Sequence, residues 1–254
     1  MSASVPVGSS PERDIVIVHS SDLHVDHDYT ARMHGGDGTA GLASVLSLAR
    51  GAGADVVVLA GDTFDCHRLP SELLDRTAAV IAASALPVVV LPGNHDPVVE
   101  DAVYHHDALA AVENLYVLGM KHAEAVVFSD LGLEIWGRPH LDYGDMIPFE
   151  NARPRRTRWQ VAVGHGHYVP EPDRSTHLRP AWLIGDQELA ATGADYVALG
   201  HWNRPMKVGN GKVVAYYSGS PEYAGTVNVV RLTRAGDVVV TRAELDITRD
   251  PFAV

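Results

Sequence analysis

Cysteine is nearly missing: Cys66 stands alone among 254 residues. No internal disulfide can form, and a reducing compartment, the cytoplasm, is the expected setting. No apolar run approaches the ~20 residues that cross a bilayer, which excludes a membrane-spanning helix. The N-terminus, MSASVPVGSSPER, has neither a basic start nor an apolar stretch. Residues 1–13 are therefore read as a flexible polar tail rather than a signal peptide. Repeats, low-complexity tracts and linkers are also lacking, so residues 14–254 are read as a single domain. Cations are scarce, with 20 Lys and Arg against 32 Asp and Glu and a formal net charge of −12. That balance argues against a general affinity for nucleic acid, which rests on cationic neutralisation of phosphates. Two bound divalent cations would offset part of the charge locally, so a small anionic substrate remains open.

What the chain does have is a regular alternation of short apolar runs and helical patterns. Asp14 to His19 and Asp55 to Ala60 read as buried strands, and Pro87 to Leu91 as a third. Between them, Thr39 to Arg50 places Leu42, Val45, Leu46 and Ala49 on one helical face. Pro70 to Ala85 does the same with Leu73, Leu74, Ala78 and Ile81. This rhythm predicts parallel βαβ crossovers. From Leu115 onward, short strands follow at 115–118, 124–128, 132–137, 160–164 and 196–199, with a short helix over 186–191. The last strands, 213–217, 226–232 and 238–243, read as an antiparallel meander. The expected fold is α/β, a four-layer α/β/β/α sandwich of two mixed sheets.

The polar residues fall in a telling place. Ser21-Asp22-Leu23-His24 follows the first strand, Gly61-Asp62-Thr63-Phe64-Asp65 the second, and Gly93-Asn94-His95-Asp96 the third. Gly164-His165-Gly166-His167 and Gly200-His201-Trp202-Asn203 follow two later strands. Loops beyond the carboxyl ends of parallel strands converge on one edge of a sheet. Each motif alone is weak, because DxH or GD pairs occur in ordinary turns and caps. The ordered set is a strong signal.

This series resembles the calcineurin-like metallophosphoesterase superfamily, whose pattern is DxH, GDxxD, GNH(D/E), a separate His and GHxH. The resemblance runs from Asp14 to about Gly225, and within the superfamily the chain is most similar to SbcD-type DNA repair nucleases. The carrying features are Ser20 to His24, the segment DYVALGHW (Asp195–Trp202) and Tyr217-Ser218-Gly219-Ser220-Pro221-Glu222. The short stretch after Glu222 leads us to expect neither a capping domain nor the partner-binding tail of a repair nuclease subunit.

The resemblance implies two divalent metal ions. One is held by Asp22, His24, Asp62 and the position of Asn203, the other by Asp62, Asn94, His165 and His201, with Asp62 bridging. His165 is preferred over His167 because it is first after its strand. Mixed oxygen and nitrogen donors suit Mn²⁺, with Fe, Zn²⁺ or Mg²⁺ as alternatives. His95 is implied as the general acid or a stabiliser of phosphoryl charge, and Asp65 as its orienter ahead of Asp96. Asn203 stands where the pattern has His: either its amide oxygen ligates a hard cation, or it caps the loop and leaves that metal three protein ligands.

Other residues have blander readings. Arg153, Arg155, Arg156 and Arg158 form either a solvated loop or a phosphate-binding lip. His27, His34, His67, His105, His106, His122, His140 and His177 fall outside the pattern, although His34 and His67 lie in loops that leave site strands and Arg138-Pro139-His140 follows another strand. Tyr104, Tyr168, Trp182 and Trp202 can stack on a base but more commonly pack against the domain. Cys66 lacks an activating partner. The activity expected first is a phosphodiesterase acting on nucleotides, cyclic nucleotides or nucleic acid. A phosphomonoesterase or protein phosphatase, and a catalytically silent metal-binding module, are the competing readings.

Overall fold

Every residue from Ile15 to Ser20 is buried, which a strand achieves only when both of its faces are covered. The computed structural model describes residues 13–26, 28–120, 122–175 and 181–247 and shows what covers them. Residues 1–12 of the expected tail, together with His27 and His177, lie outside the described residues.

The first half of the chain runs β1 (Ile15–Ser20), α1 (Tyr29–Met33), α2 (Ala40–Gly51), β2 (Val56–Ala60), α3 (Ser71–Ser84), β3 (Val88–Leu91), α4 (Asp107–Ala110) and β4 (Leu115–Val117). The second half begins β5 (Ala125–Phe128), β6 (Leu133–Trp136), β7 (Trp159–His165), β8 (His167–Tyr168), β9 (Leu183–Ile184) and α5 (Asp186–Ala191). It ends β10 (Tyr196–Gly200), β11 (Met206–Val208), β12 (Val214–Tyr217), α6 (Pro221–Ala224), β13 (Thr226–Leu232) and β14 (Val238–Glu244).

Two six-stranded mixed sheets result, in the orders β14-β13-β1-β2-β3-β4 and β11-β12-β10-β7-β6-β5. The period of two along each strand distributes the apolar residues between layers. Val16, Val18, Val57, Leu59, Val88 and Val90 join the apolar faces of α2 and α3. Their neighbours Ile15, Ile17, Val56, Val58 and Val89 meet Val161, Val163, Tyr196 and Ala198 between the sheets. On the far side, Ala162, Val197 and Leu199 pack with Leu189 of α5. The four expected layers are present.

Of the expected C-terminal meander only the antiparallel β13–β14 pair is present. β12 pairs parallel with β10 and antiparallel with β11, all in the second sheet, whereas β13 pairs antiparallel with β1 and β14 in the first. The chain crosses from one sheet to the other through the turn at Gly219 and the short α6. Alternating apolar residues mark a strand but carry no label for its partner.

The arginine cluster sits at the wrong end to be a phosphate lip. Arg155 pairs with Asp195 at 2.6 Å, Arg156 with the buried Glu134, and Arg158 donates to the Arg234 carbonyl. All lie at the start of β7, and His165 is at its other end, about 20 Å away at 3.3 Å per residue.

Candidate metal centre at the strand ends

β1, β2 and β3 are parallel in one sheet, β7 and β10 in the other, and their carboxyl ends share an edge. There the two sheets touch. The His165 Nδ1–H at the end of β7 donates to the Ala60 carbonyl at the end of β2, at 2.9 Å. Glycine is required for this approach: a Cβ on Gly61 would lie 2.0 Å from His165 Nδ1, and one on Gly93 2.2 Å from Asp62 Oδ1. Of the seven non-glycine residues with positive φ among the described residues, four are Asp22, His24, Asp62 and His201. Left-handed backbone at Asp and His is uncommon, and strain of about 1–3 kcal/mol per residue concentrates at functional sites.

Asp62 is the hub. Its Oδ1 accepts the His95 backbone N–H at 2.9 Å, and its Oδ2 lies 3.1 Å from His165 Nε2. Among the described residues two groups of side chains could each hold a cation, His24–Asp62–His95 and Asp62–His165–His201, the donor atoms of each group within 4.8 Å of one another. Asp62 belongs to both.

The donor chemistry fits metal. With Nδ1–H committed to Ala60, the neutral His165 ring turns its Nε2 lone pair toward Asp62 Oδ2 and Asn94 Oδ1, the latter at 3.0 Å. Three lone pairs therefore converge, and only a cation or a proton reconciles them. Burial alone would depress the His165 pKa, but the carboxylates of Asp62 and Asp22 lift it to about 9. His24 is likewise held at about 9, against its burial, by Asp65, Asp62 and Asp22. Burial would raise the Asp62 carboxyl, yet His165, His24 and His95 hold it well below the usual range.

Asp22 and Asn203 stand slightly apart from these groups. Both Asp22 oxygens accept the His201 backbone N–H, at 3.0 and 3.1 Å, and burial pushes its carboxyl up. Asn203 is exposed on the wall of the adjoining cleft, and its carbonyl accepts the Ser220 N–H at 3.3 Å. His167 is exposed and accepts the Trp202 Nε1–H at 2.9 Å, outside both groups. The His95 Nδ1–H donates to the Asp65 carbonyl at 3.0 Å, with the Asp65 carboxylate 3.6 Å from the same nitrogen. Asp96 is fully buried and accepts from Gly93 N–H, Phe64 N–H and the Tyr104 hydroxyl, which makes it a loop anchor.

Two supports had no clear signature in the sequence. His140, buried, donates Nε2–H to the His165 carbonyl at 3.0 Å, and burial depresses its pKa to about 4. Trp182 lies edge-on to His140 and His201, with ring centroids 5.0 and 5.9 Å away. Neither falls at a motif position.

The family model described as Calcineurin-like phosphoesterase matches residues 15–205. The chain belongs to that family. It is 26% identical over 241 residues to the SbcD subunit of the nuclease SbcCD of Bacillus subtilis (strain 168), covering 81% of this chain and 61% of that protein. It is 25% identical over 245 residues to the corresponding SbcCD nuclease subunit of Escherichia coli (strain K12), covering 81% and 60%. The chain thus spans about three fifths of the length of these relatives. Among solved structures, TT1561 of Thermus thermophilus superposes with a TM-score of 0.57 at 13% identity, covering 89% of this chain and 98% of that one. A candidate 5′-nucleotidase from Staphylococcus aureus superposes with 0.59 at 16% identity, covering 95% and 55%. Both share the fold of this calcineurin-like phosphoesterase. No helix of the described residues is long and apolar enough to cross a membrane.

The protonated state of the metal-free donors has a measurable consequence. At pH 7.5 His24 and His165, each at about 9, carry a proton that a cation must displace. Loading is expected to release about two protons per chain at that pH and almost none above pH 10, so apparent affinity rises between pH 7 and 9. Calorimetry of Mn²⁺ binding in buffers of different ionisation enthalpy reads this directly; heats that do not change with buffer at pH 7.5 contradict it.

Proposed function

We propose that the protein is a dinuclear-metal phosphodiesterase acting on nucleotides, cyclic nucleotides or nucleic acid. The observation that carries the reading is the membership of Asp62 in two adjacent cation-holding groups. Asp22, His24, Asp62 and the Asn203 position would hold one ion, and Asp62, Asn94, His165 and His201 the other. Two such cations supply water activation and neutralise charge on the phosphoryl oxygens. The chain's own part is to fix the donors: Ala60 sets the tautomer of His165, and Asp65 that of His95. His95, with its side chain 44% exposed beside the cleft, presents Nε2 to the leaving oxygen and delivers a proton there. Diesterase rather than monoesterase activity is supported by the similarity to two proteins named as nuclease subunits. The single Cys66 supports a cytoplasmic setting.

The test is turnover of bis-p-nitrophenyl phosphate against p-nitrophenyl phosphate with Mn²⁺ supplied, together with elemental analysis of the purified protein. Diester turnover with two cations per chain is expected, and turnover of the monoester alone would refute the reading. Asn203 marks the metal preference. An amide oxygen favours Mn²⁺, Mg²⁺ or Fe²⁺ over Zn²⁺, so Asn203→His is expected to tighten Zn²⁺ at the first site by about tenfold or more. Unaltered Zn²⁺ affinity by calorimetry would show that position 203 is not a ligand.

A further inference from the structure

The cleft of about 350 Å³ beside the metal centre falls within the usual size of small-molecule sites, about 300–1,000 Å³. Asp22, His24 and His95 are part of its lining, so the cleft adjoins the candidate metal centre. Its walls are acidic but already committed. Asp26 accepts the backbone N–H groups of Asp28, Thr30 and Ala31 at 2.9–3.2 Å, and Glu222 lies 3.2 Å from the buried His34. No lysine or arginine is found among the described residues that line it.

Three further features line the cleft. Tyr29 from α1 and Tyr223 from α6 are 50% and 61% exposed, and their hydroxyls share one hydrogen bond at 3.4 Å. Two large aromatic side chains left half or more exposed beside one cleft are not accounted for by core packing. Ser220 is 2% exposed, lines the same cleft, and its Oγ has no hydrogen-bond partner. A buried hydroxyl left unpaired is costly, and a ligand atom can satisfy it.

From this arrangement we infer that the cleft is a base-binding subsite: Tyr29 and Tyr223 stack on the planar base of a single nucleoside phosphodiester, and the Ser220 hydroxyl bonds a polar atom of that nucleoside. The inference rests on the phosphodiesterase reading and narrows its substrate class. An uncharged aromatic ring suits a cleft of tyrosines and committed carboxylates. An extended polyanion finds no cationic track there, and the chain's net charge of −12 opposes it further.

Two esters with the same leaving group test the subsite, thymidine 5′-(p-nitrophenyl phosphate) and methyl p-nitrophenyl phosphate. Base–aromatic stacking predicts that the Mn²⁺-loaded enzyme prefers the thymidine ester by at least about tenfold in kcat/KM, chiefly through KM. The ratio is expected to fall to near one in the Tyr29→Ala/Tyr223→Ala double variant, to survive in Tyr29→Phe/Tyr223→Phe, and to drop about fivefold in Ser220→Ala. A ratio near one in the unaltered enzyme, a ratio indifferent to the alanine changes, or faster cleavage of a single-stranded oligonucleotide than of the thymidine ester overturns the subsite. If neither ester is turned over, the diesterase reading has failed, and the subsite is decided by binding alone. Saturation-transfer NMR with thymidine would then show contact that the double alanine variant loses, and no contact with the unaltered protein overturns it.

Discussion

Asp62→Ala is expected to remove both cations from the protein and to lower kcat/KM by at least about 10³-fold, or about 4 kcal/mol of transition-state stabilisation. The size follows from its position. Asp62 contributes to the His24–Asp62–His95 group and to the Asp62–His165–His201 group, whereas His24 and His201 each contribute to one. His24→Ala or His201→Ala should therefore weaken one ion preferentially, and elemental analysis after dialysis separates the cases. Folding and ligation can also be distinguished. The carboxylate accepts the His95 N–H at 2.9 Å, an anchor that Asp62→Asn keeps in shape while removing the bridging charge. We expect the Asn variant to melt close to the unaltered protein in the absence of metal and still to lose turnover. An Asp62→Ala protein that retains one tightly held ion and activity within tenfold of the original would show that Asp62 does not bridge.

On the acid side of the pH range a residue outside the candidate metal centre adds to the effect of Asp62, whose depressed carboxyl also loses its contribution as pH falls. His19 in β1 is fully buried between the sheets, and its Nδ1 accepts the Tyr196 hydroxyl at 2.8 Å. Burial, with a smaller push from Arg242, depresses its pKa to about 3 despite a contact with the Leu199 backbone that raises it. A histidine kept neutral in the fold favours the native state fully above its unfolded value near 6.5 and loses that contribution as pH falls toward 3. It serves the sheet interface, and because it sits inside a strand no loop motif marks it.

His19 illustrates what was legible and what was not. β1, β2, β3 and the two long helices were readable because their apolar residues obey a period or fill an unbroken run, and both are properties of neighbouring positions. The candidate site was proposed on the same kind of signal, since Asp22, Asp62, Asn94, His165 and His201 each follow closely on the end of such a run. Relationships between distant segments were not readable. β12 looks like one strand of a hairpin, yet it joins the second sheet beside β10, because pairing depends on what the SGSPE turn does to the path. His140 looks like a loop histidine, yet it holds the carbonyl of His165 across 25 positions. Tyr29 and Tyr223 are 194 positions apart, and no local pattern hints that their hydroxyls meet over one cleft.

The remaining large effect concerns His95. His95→Ala is expected to lower kcat by about 10²–10⁴-fold while leaving two cations in place. The geometry offers two roles. Its donor atom lies within 4.8 Å of those of His24 and Asp62, which is compatible with ligation. Against that, its Nδ1–H is committed to the Asp65 carbonyl at 3.0 Å, and its side chain is 44% exposed where that of the ligand candidate His165 is wholly buried. A ring pinned at Nδ1 and open at Nε2 is placed to exchange a proton with substrate. Leaving-group dependence decides between the roles. An alkoxide needs a proton as it departs and p-nitrophenolate does not, so an acid role predicts a much larger loss for ethyl than for p-nitrophenyl esters. Loss of an ion in His95→Ala would make it a ligand, and equal losses for both leaving groups with both ions retained would make it a stabiliser of phosphoryl charge. Asp65→Ala should then follow the same leaving-group trend at smaller amplitude, because the backbone carbonyl that holds Nδ1 survives the substitution and only the carboxylate 3.6 Å away is lost.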